Sequence, residues 1–151
     1  GNKRIVKFDP QGVVLGAVGG AGTADGRLSE PVGIALDGMG NLYVADTWNQ
    51  RVQVFAPDLM WVESWPVYSW WGQSVVNKPY LAVDASGNVF LTDPEGYRVL
   101  KFSNDGELLS SWGQFGVDDS SMNLPTGIAI DAQSRIYVAD SENHRVLRYA
   151  P

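Results

Sequence analysis

Cysteine is absent from the 151 residues, which excludes disulfides and thiolate metal sites. Histidine occurs once, as His144, so this chain by itself cannot build a multi-histidine metal centre. No apolar run approaches the roughly 20 residues that a membrane helix needs. No basic start followed by an apolar core marks a secretory leader. The first residue is Gly1 rather than Met, and the native start is expected upstream. Basic side chains are few, 11 against 17 acidic, for a formal charge of −6. That balance disfavours bulk binding to nucleic acid or anionic lipid. Helical periodicity over 11 or more residues is also missing. What remains is a chain 44% hydrophobic with six tryptophans, inside the usual globular range.

What is present is a repeat. Arg4, Arg51, Arg98 and Arg145 recur every 47 residues, and Phe8, Phe55, Phe102 and Tyr149 follow in step. Asp37, Asp84 and Asp131 keep the same spacing, as do Asp46, Asp93 and Asp140, and Trp65 and Trp112. Each period holds four segments rich in Val, Ile, Tyr, Phe and Trp, as strands prefer. The first runs Gly33 to Asp37, the second Asn41 to Asp46, the third Arg51 to Phe55; the fourth, Met60 to Trp65, is weaker. Turn residues such as Asp37-Gly38-Met39-Gly40-Asn41 separate them. Four short strands per unit of 40–50 residues describe a β-propeller blade. The expected fold is therefore all-β, an incomplete propeller of four-stranded antiparallel blades, about three of six. The whole chain, 1–151, divides into a partial blade 1–30, blades 31–78 and 79–124, and a partial blade 125–151. Segments apolar on both faces, such as Leu42-Tyr43-Val44-Ala45, suit sheets packed between neighbouring blades.

The run from Pro31 through Asp46-Thr47 and Asn49 to Phe55 resembles the NHL repeat, and Pro125 to Val146 matches it again. The middle unit departs: Pro79-Tyr80-Leu81 is one residue short, and Gly96 stands in the usual Asn position. The resemblance implies a share of a six-bladed propeller. It also implies a family whose members include interaction and RNA-binding domains, a lyase, and extracytoplasmic parts of bacterial membrane proteins. Fold and function separate in such scaffolds.

Residues at the same phase in every unit are read as scaffold. Asp46 with Arg51, Asp93 with Arg98, and Asp140 with Arg145 are expected to lock the turn between the second and third strands. Asp37 and Asp84 precede glycine turns that do not match a calcium loop, and Asp131 ends its strand at the same phase. His144 fills the variable slot also held by Gln50 and Tyr97, and no nucleophile–base pair can be placed around it. Gly19-Gly20-Ala21-Gly22 has no following helix to present to a phosphate, and reads as a flexible loop between blades. Trp65 and Trp112 are expected between blades.

Binding information should lie where the repeat breaks, from Trp61 to Tyr80. Tyr68, Trp70 and Trp71 have no aromatic counterparts one period on. They fall in a loop expected on the same face as the turns carrying Trp48 and Tyr97, and with these two and His144 they are the candidate ligand or partner contacts. Two readings stand: rigid aromatics gripping a ligand or partner, or a plug in the irregular unit. The leading expectation is a binding scaffold for a protein or carbohydrate, without catalytic residues, metal or cofactor. The alternatives are part of a lyase- or lactonase-type propeller whose catalytic residues lie mostly outside this chain, and an RNA-binding domain. The exposed blade faces predict that the isolated chain dimerises or aggregates. The remaining blades would come from a longer parent chain or from a second copy. For location, the resemblance implies a bacterial extracytoplasmic domain of a larger, membrane-anchored protein.

Overall fold

The computed structural model describes residues 1–71, 73–76 and 78–150. Among them are thirteen strands. A first hairpin pairs β1 (Arg4–Phe8) with β2 (Val14–Gly19). The next sheet holds β3 (Pro31–Leu36), β4 (Leu42–Asp46), β5 (Arg51–Phe55) and β6 (Trp61–Pro66) in sequential antiparallel order. The third repeats this with β7 (Leu81–Val83), β8 (Val89–Asp93), β9 (Arg98–Phe102) and β10 (Leu108–Trp112). The last is three-stranded: β11 (Pro125–Ile130), β12 (Ile136–Asp140) and β13 (Arg145–Tyr149). Strand β3 lies against β7, and β7 against β11, so the first strand of each sheet is innermost. The protein is an arc of a β-propeller, all-β and not closed into a ring. No helix among the described residues is long and apolar enough to cross a membrane.

Burial follows from neighbours rather than from residue type. Strands β4 and β8, LYVAD and VFLTD, are buried at every position, because each sheet is sandwiched between two others. Strand β12, IYVAD, is nearly the same sequence but alternates between buried and half-buried, since one face has no sheet upon it. Three cores fill the gaps. Leu28, Leu42, Val44 and Phe55 meet Ile5 and Val18. Tyr43, Trp65 and Val67 meet Leu91 and Phe102. Phe90 and Val99 meet Met122 and Val138. Trp65 sits between sheets, 6.3 Å from Tyr43 and 6.4 Å from Phe102 by ring centroids. Trp112 does the same with Phe90 at 6.2 Å and Tyr149 at 5.8 Å. Gly106 turns beneath Trp65 at φ +86°, where a Cβ would lie 2.5 Å from the indole Cγ. Only glycine fits that turn.

The turns between innermost and second strands are closed by their own aspartates. Asp37 accepts the Met39 and Asn41 N–H groups at 2.8 and 2.9 Å, and Asp84 accepts those of Ser86 and Asn88 likewise. At Asp131 burial acts to raise the carboxyl pKa. The Arg135 and Gln133 N–H groups, the Arg135 side chain and the Tyr137 hydroxyl outweigh it and lower it from the ordinary 3.8 to about 2. A depressed carboxyl contributes its full stability above the unfolded pKa, about 3.9, and loses it as pH falls through the folded value. Asp131→Asn is therefore expected to flatten the loss of thermal stability between about pH 4 and 2. Identical melting profiles for variant and parent would remove Asp131 as a source of acid sensitivity.

Candidate functional site

The β4–β5 and β12–β13 turns lie at the opposite strand ends and share one construction. Asp46 closes β4 with a fully buried carboxylate. One oxygen accepts the Ser29 N–H at 2.6 Å. The other accepts Asn49 Nδ2 at 2.8 Å, Arg51 Nε at 2.9 Å and Gln53 Nε2 at 3.0 Å. The outer edge of Arg51 then donates to the Ala24 and Arg27 carbonyls at 2.9 and 2.8 Å, with Asp25 at 3.7 Å. Asp140 is built alike, with the Asn123 N–H at 2.6 Å, Asn143 at 2.8 Å and Arg145 Nε at 2.7 Å. Arg145 donates onward to the Val117, Asp118 and Ser121 carbonyls at 2.6–3.0 Å. Burial acts to raise the Asp140 carboxyl, but the Asn123 N–H, Asn143 and Arg145 hold it below its ordinary value. In both locks the aspartate oxygens and the arginine Nε and Nη2 are engaged by the scaffold.

The glycine loop Gly19–Gly22 belongs to the first lock. Contrary to a flexible connection, it is pinned. Gly20 N–H bonds Lys3 O at 2.7 Å, Leu28 N–H bonds Gly20 O at 2.9 Å, and Asn49 Nδ2 bonds Gly22 O at 2.9 Å. Gly113–Gly116 repeats the arrangement, with Asn143 on Gly116 O.

The β8–β9 turn breaks the pattern. Asp93 is fully buried, yet one oxygen takes only Arg98 Nε at 2.9 Å, and the other has no partner. Gly96 replaces the asparagine. A Cβ there would lie 2.2 Å from the Asp93 carboxylate, so the carboxylate fills the room that the asparagine side chain takes in the other units. Glu95 accepts the Ser74 hydroxyl at 2.9 Å on one oxygen, while its second is buried without a partner. The outer nitrogens of Arg98 meet no acceptor among the described residues, and its side chain is 39% exposed.

The aromatic candidates separate. Trp70 is fully buried in the core with Val67, Leu91 and Leu100, and its indole N–H bonds Thr92 O at 3.2 Å. It is packing, with no surface for a ligand. Trp71 is 68% exposed and Tyr68 85%. Trp48 is half-buried, with the Lys3 ammonium 5.2 Å from its ring. Tyr97 packs edge-on to Phe115 at 5.0 Å. His144 is exposed on the third turn. Gln50, Tyr97 and His144 share left-handed backbone, with φ of 53°, 56° and 52°, so their slot is defined by a turn conformation rather than by the chemistry of the residue in it. Among the described residues no three His, Asp or Glu groups stand close enough to hold a metal.

Arg98 was legible only as scaffold, and Ser69 not at all. Yet both line a groove of about 380 Å³ with Tyr68, Leu100, Leu108 and Ser111. The available signal was indirect: the loop that feeds carbonyls to Arg51 and Arg145 is the segment in which the repeat breaks.

The NHL repeat family matches residues 28–55 and 122–149, the two units whose locks are complete. NHL repeats thus occupy those two stretches of the protein. NHL repeat-containing protein 3 of Mus musculus is 35% identical over 65 residues, 42% of this chain and 19% of that protein. Protein wech of Drosophila melanogaster is 51% identical over 37 residues, 24% of this chain and 4% of that protein. Among solved structures, a streptogramin B lyase superposes with a TM-score of 0.66 at 12% identity, over 99% of this chain and 48% of its own. Virginiamycin B lyase from Staphylococcus aureus gives 0.64 at 9% identity, over 99% and 49%. The sequence thus spans about half of these propellers and a fifth of the mouse protein.

Proposed function

We propose that this arc of NHL-repeat propeller is a protein-binding scaffold whose contact surface is the interrupted unit, the 66–80 segment with the 93–98 turn. One observation carries the reading. In the regular units the aspartate and arginine of the lock are engaged by the scaffold, whereas the interrupted unit leaves Tyr68 and Trp71 largely exposed. Tyrosine and tryptophan are the residues on which interface energy concentrates. The alternative, a share of a lyase- or lactonase-type enzyme, draws on solved structures at about 12% identity, a likeness that extends to the fold alone.

The test is a displayed random-peptide selection against the whole protein, followed by affinity measurement on the Tyr68→Ala/Trp71→Ala double variant. Selected peptides are expected to bind the variant at least about tenfold more weakly, or 1.4 kcal/mol, at an unchanged urea midpoint. Peptides that bind parent and variant equally would place the contact surface elsewhere.

A further inference from the structure

We infer that the groove beside Arg98 is a carboxylate pocket for an acidic peptide group. The inference rests on reading the interrupted unit as the contact surface and names what that surface takes.

The argument starts from the two complete locks. In each, the arginine Nε bonds the buried aspartate and outer N–H groups bond loop carbonyls, through Nη2 in Arg51 and both Nη atoms in Arg145, with a loop carboxylate nearby: Asp25 at 3.7 Å from Arg51, Asp119 at 3.9 Å from Arg145. The outer edge of this arginine thus takes oxygen acceptors, carbonyls at 2.6–3.0 Å with a carboxylate at longer range. Arg98 keeps the inner bond to Asp93 at 2.9 Å. At the 47-residue phase of Asp25 and Asp119 the sequence has Gly72, which supplies no carboxylate. Arg98, its side chain 39% exposed, instead lines the groove of about 380 Å³. The Ser69 hydroxyl, buried and without a partner, lines the same groove. Leu100, Phe102 and Leu108 form an apolar wall, and Tyr68 stands exposed at the rim.

The chemistry selects a monoanion. Two parallel N–H donors of a guanidinium match one carboxylate. Arg98 is the only charged residue in the lining, and Asp93 already offsets part of its charge. A dianionic phosphate would be under-compensated in a protein of charge −6. The apolar wall favours a carboxylate carried beside an aliphatic side chain. The terminal carboxylate of a peptide and a glutamate side chain share that chemistry.

The experiment titrates the protein by NMR, reading the Arg98 Nε–H and the Tyr68, Ser69 and Ser111 amides. The probes are N-acetyl-leucine for a C-terminus, N-acetyl-glutamate α-amide for a side chain, N-acetyl-leucinamide, inorganic phosphate and galacturonate. One or both peptide acids are expected to saturate these signals, with the neutral amide at least about tenfold weaker, and the better acid identifies the source. Arg98→Gln should abolish the response. Ser111→Asp, which keeps the Asp93–Arg98 pair, should weaken it by about tenfold or more through like-charge repulsion. Equal titration by acid and amide, an unchanged response in Ser111→Asp, or tighter binding of phosphate or galacturonate would overturn the assignment. Because the probes need no partner protein, the pocket can stand where the peptide selection fails, and the reverse.

Discussion

Asp46→Ala is expected to lose about 3–5 kcal/mol of stability, the cost of leaving a buried charge network without its partner. The same change at Asp93 should cost clearly less. The difference lies in the donors. Removing the Asp46 carboxylate takes the shared acceptor from the Ser29 N–H, Asn49, Arg51 and Gln53 in a buried turn. Removing that of Asp93 strands only Arg98, and it relieves an oxygen that has no partner. Against a total stability of about 5–15 kcal/mol for an ordinary domain, the first loss brings the protein near its unfolding threshold. Urea denaturation of both variants checks the ranking. Equal losses would mean that the lock stabilises through the turn alone, and that the loop contacts of Asp46 contribute nothing.

Trp70→Ala should cost about 3–5 kcal/mol, as for other large-to-small core changes, while Trp71→Ala should cost clearly less. Trp70 is fully enclosed between two sheets and its indole caps the Thr92 carbonyl, so truncation leaves both a cavity and an unpaired acceptor. The Gln50 amide also bonds the Trp70 carbonyl, tying the broken segment to the first turn. The neighbouring indole of Trp71 is largely exposed. Thermal or urea unfolding separates the two, and matching destabilisation would contradict the packing described for Trp70.

Much of this architecture could be read from residues alone, because the repeat reports local contacts. The Asp–Arg pair spans five residues in each unit, and the Asp37-type turns close within four. Such contacts are written into spacing. The strands fall within a few residues of the segments expected from Val, Ile and aromatic content, and Arg51–Phe55 matches its segment end to end. The flexible reading of the glycine loop failed for the opposite reason. Its anchors are Lys3 and Asn49, 17 and 27 residues from the glycines they hold, and no local pattern announces them.

The candidate site divides along the same line. That the repeat breaks between Trp61 and Tyr80, and that aromatics gather there, is a property of the sequence. Which of two adjacent tryptophans enters the core is not. It depends on where the 66–70 segment crosses Thr92, a residue 22 positions after Trp70. The case of Arg98 is sharper. By sequence it equals Arg51 and Arg145, and its inner bond is the same. Its outer edge depends on carbonyls 24–28 residues earlier, which the regular loops deliver and the described residues of the interrupted one do not. Sequence by itself determined the blade, its period and its short-range locks, since each is satisfied within one turn or one hairpin. The tertiary structure alone decided which tryptophan is buried and which arginine keeps an open edge, because both follow from how a loop of altered length packs across the next sheet.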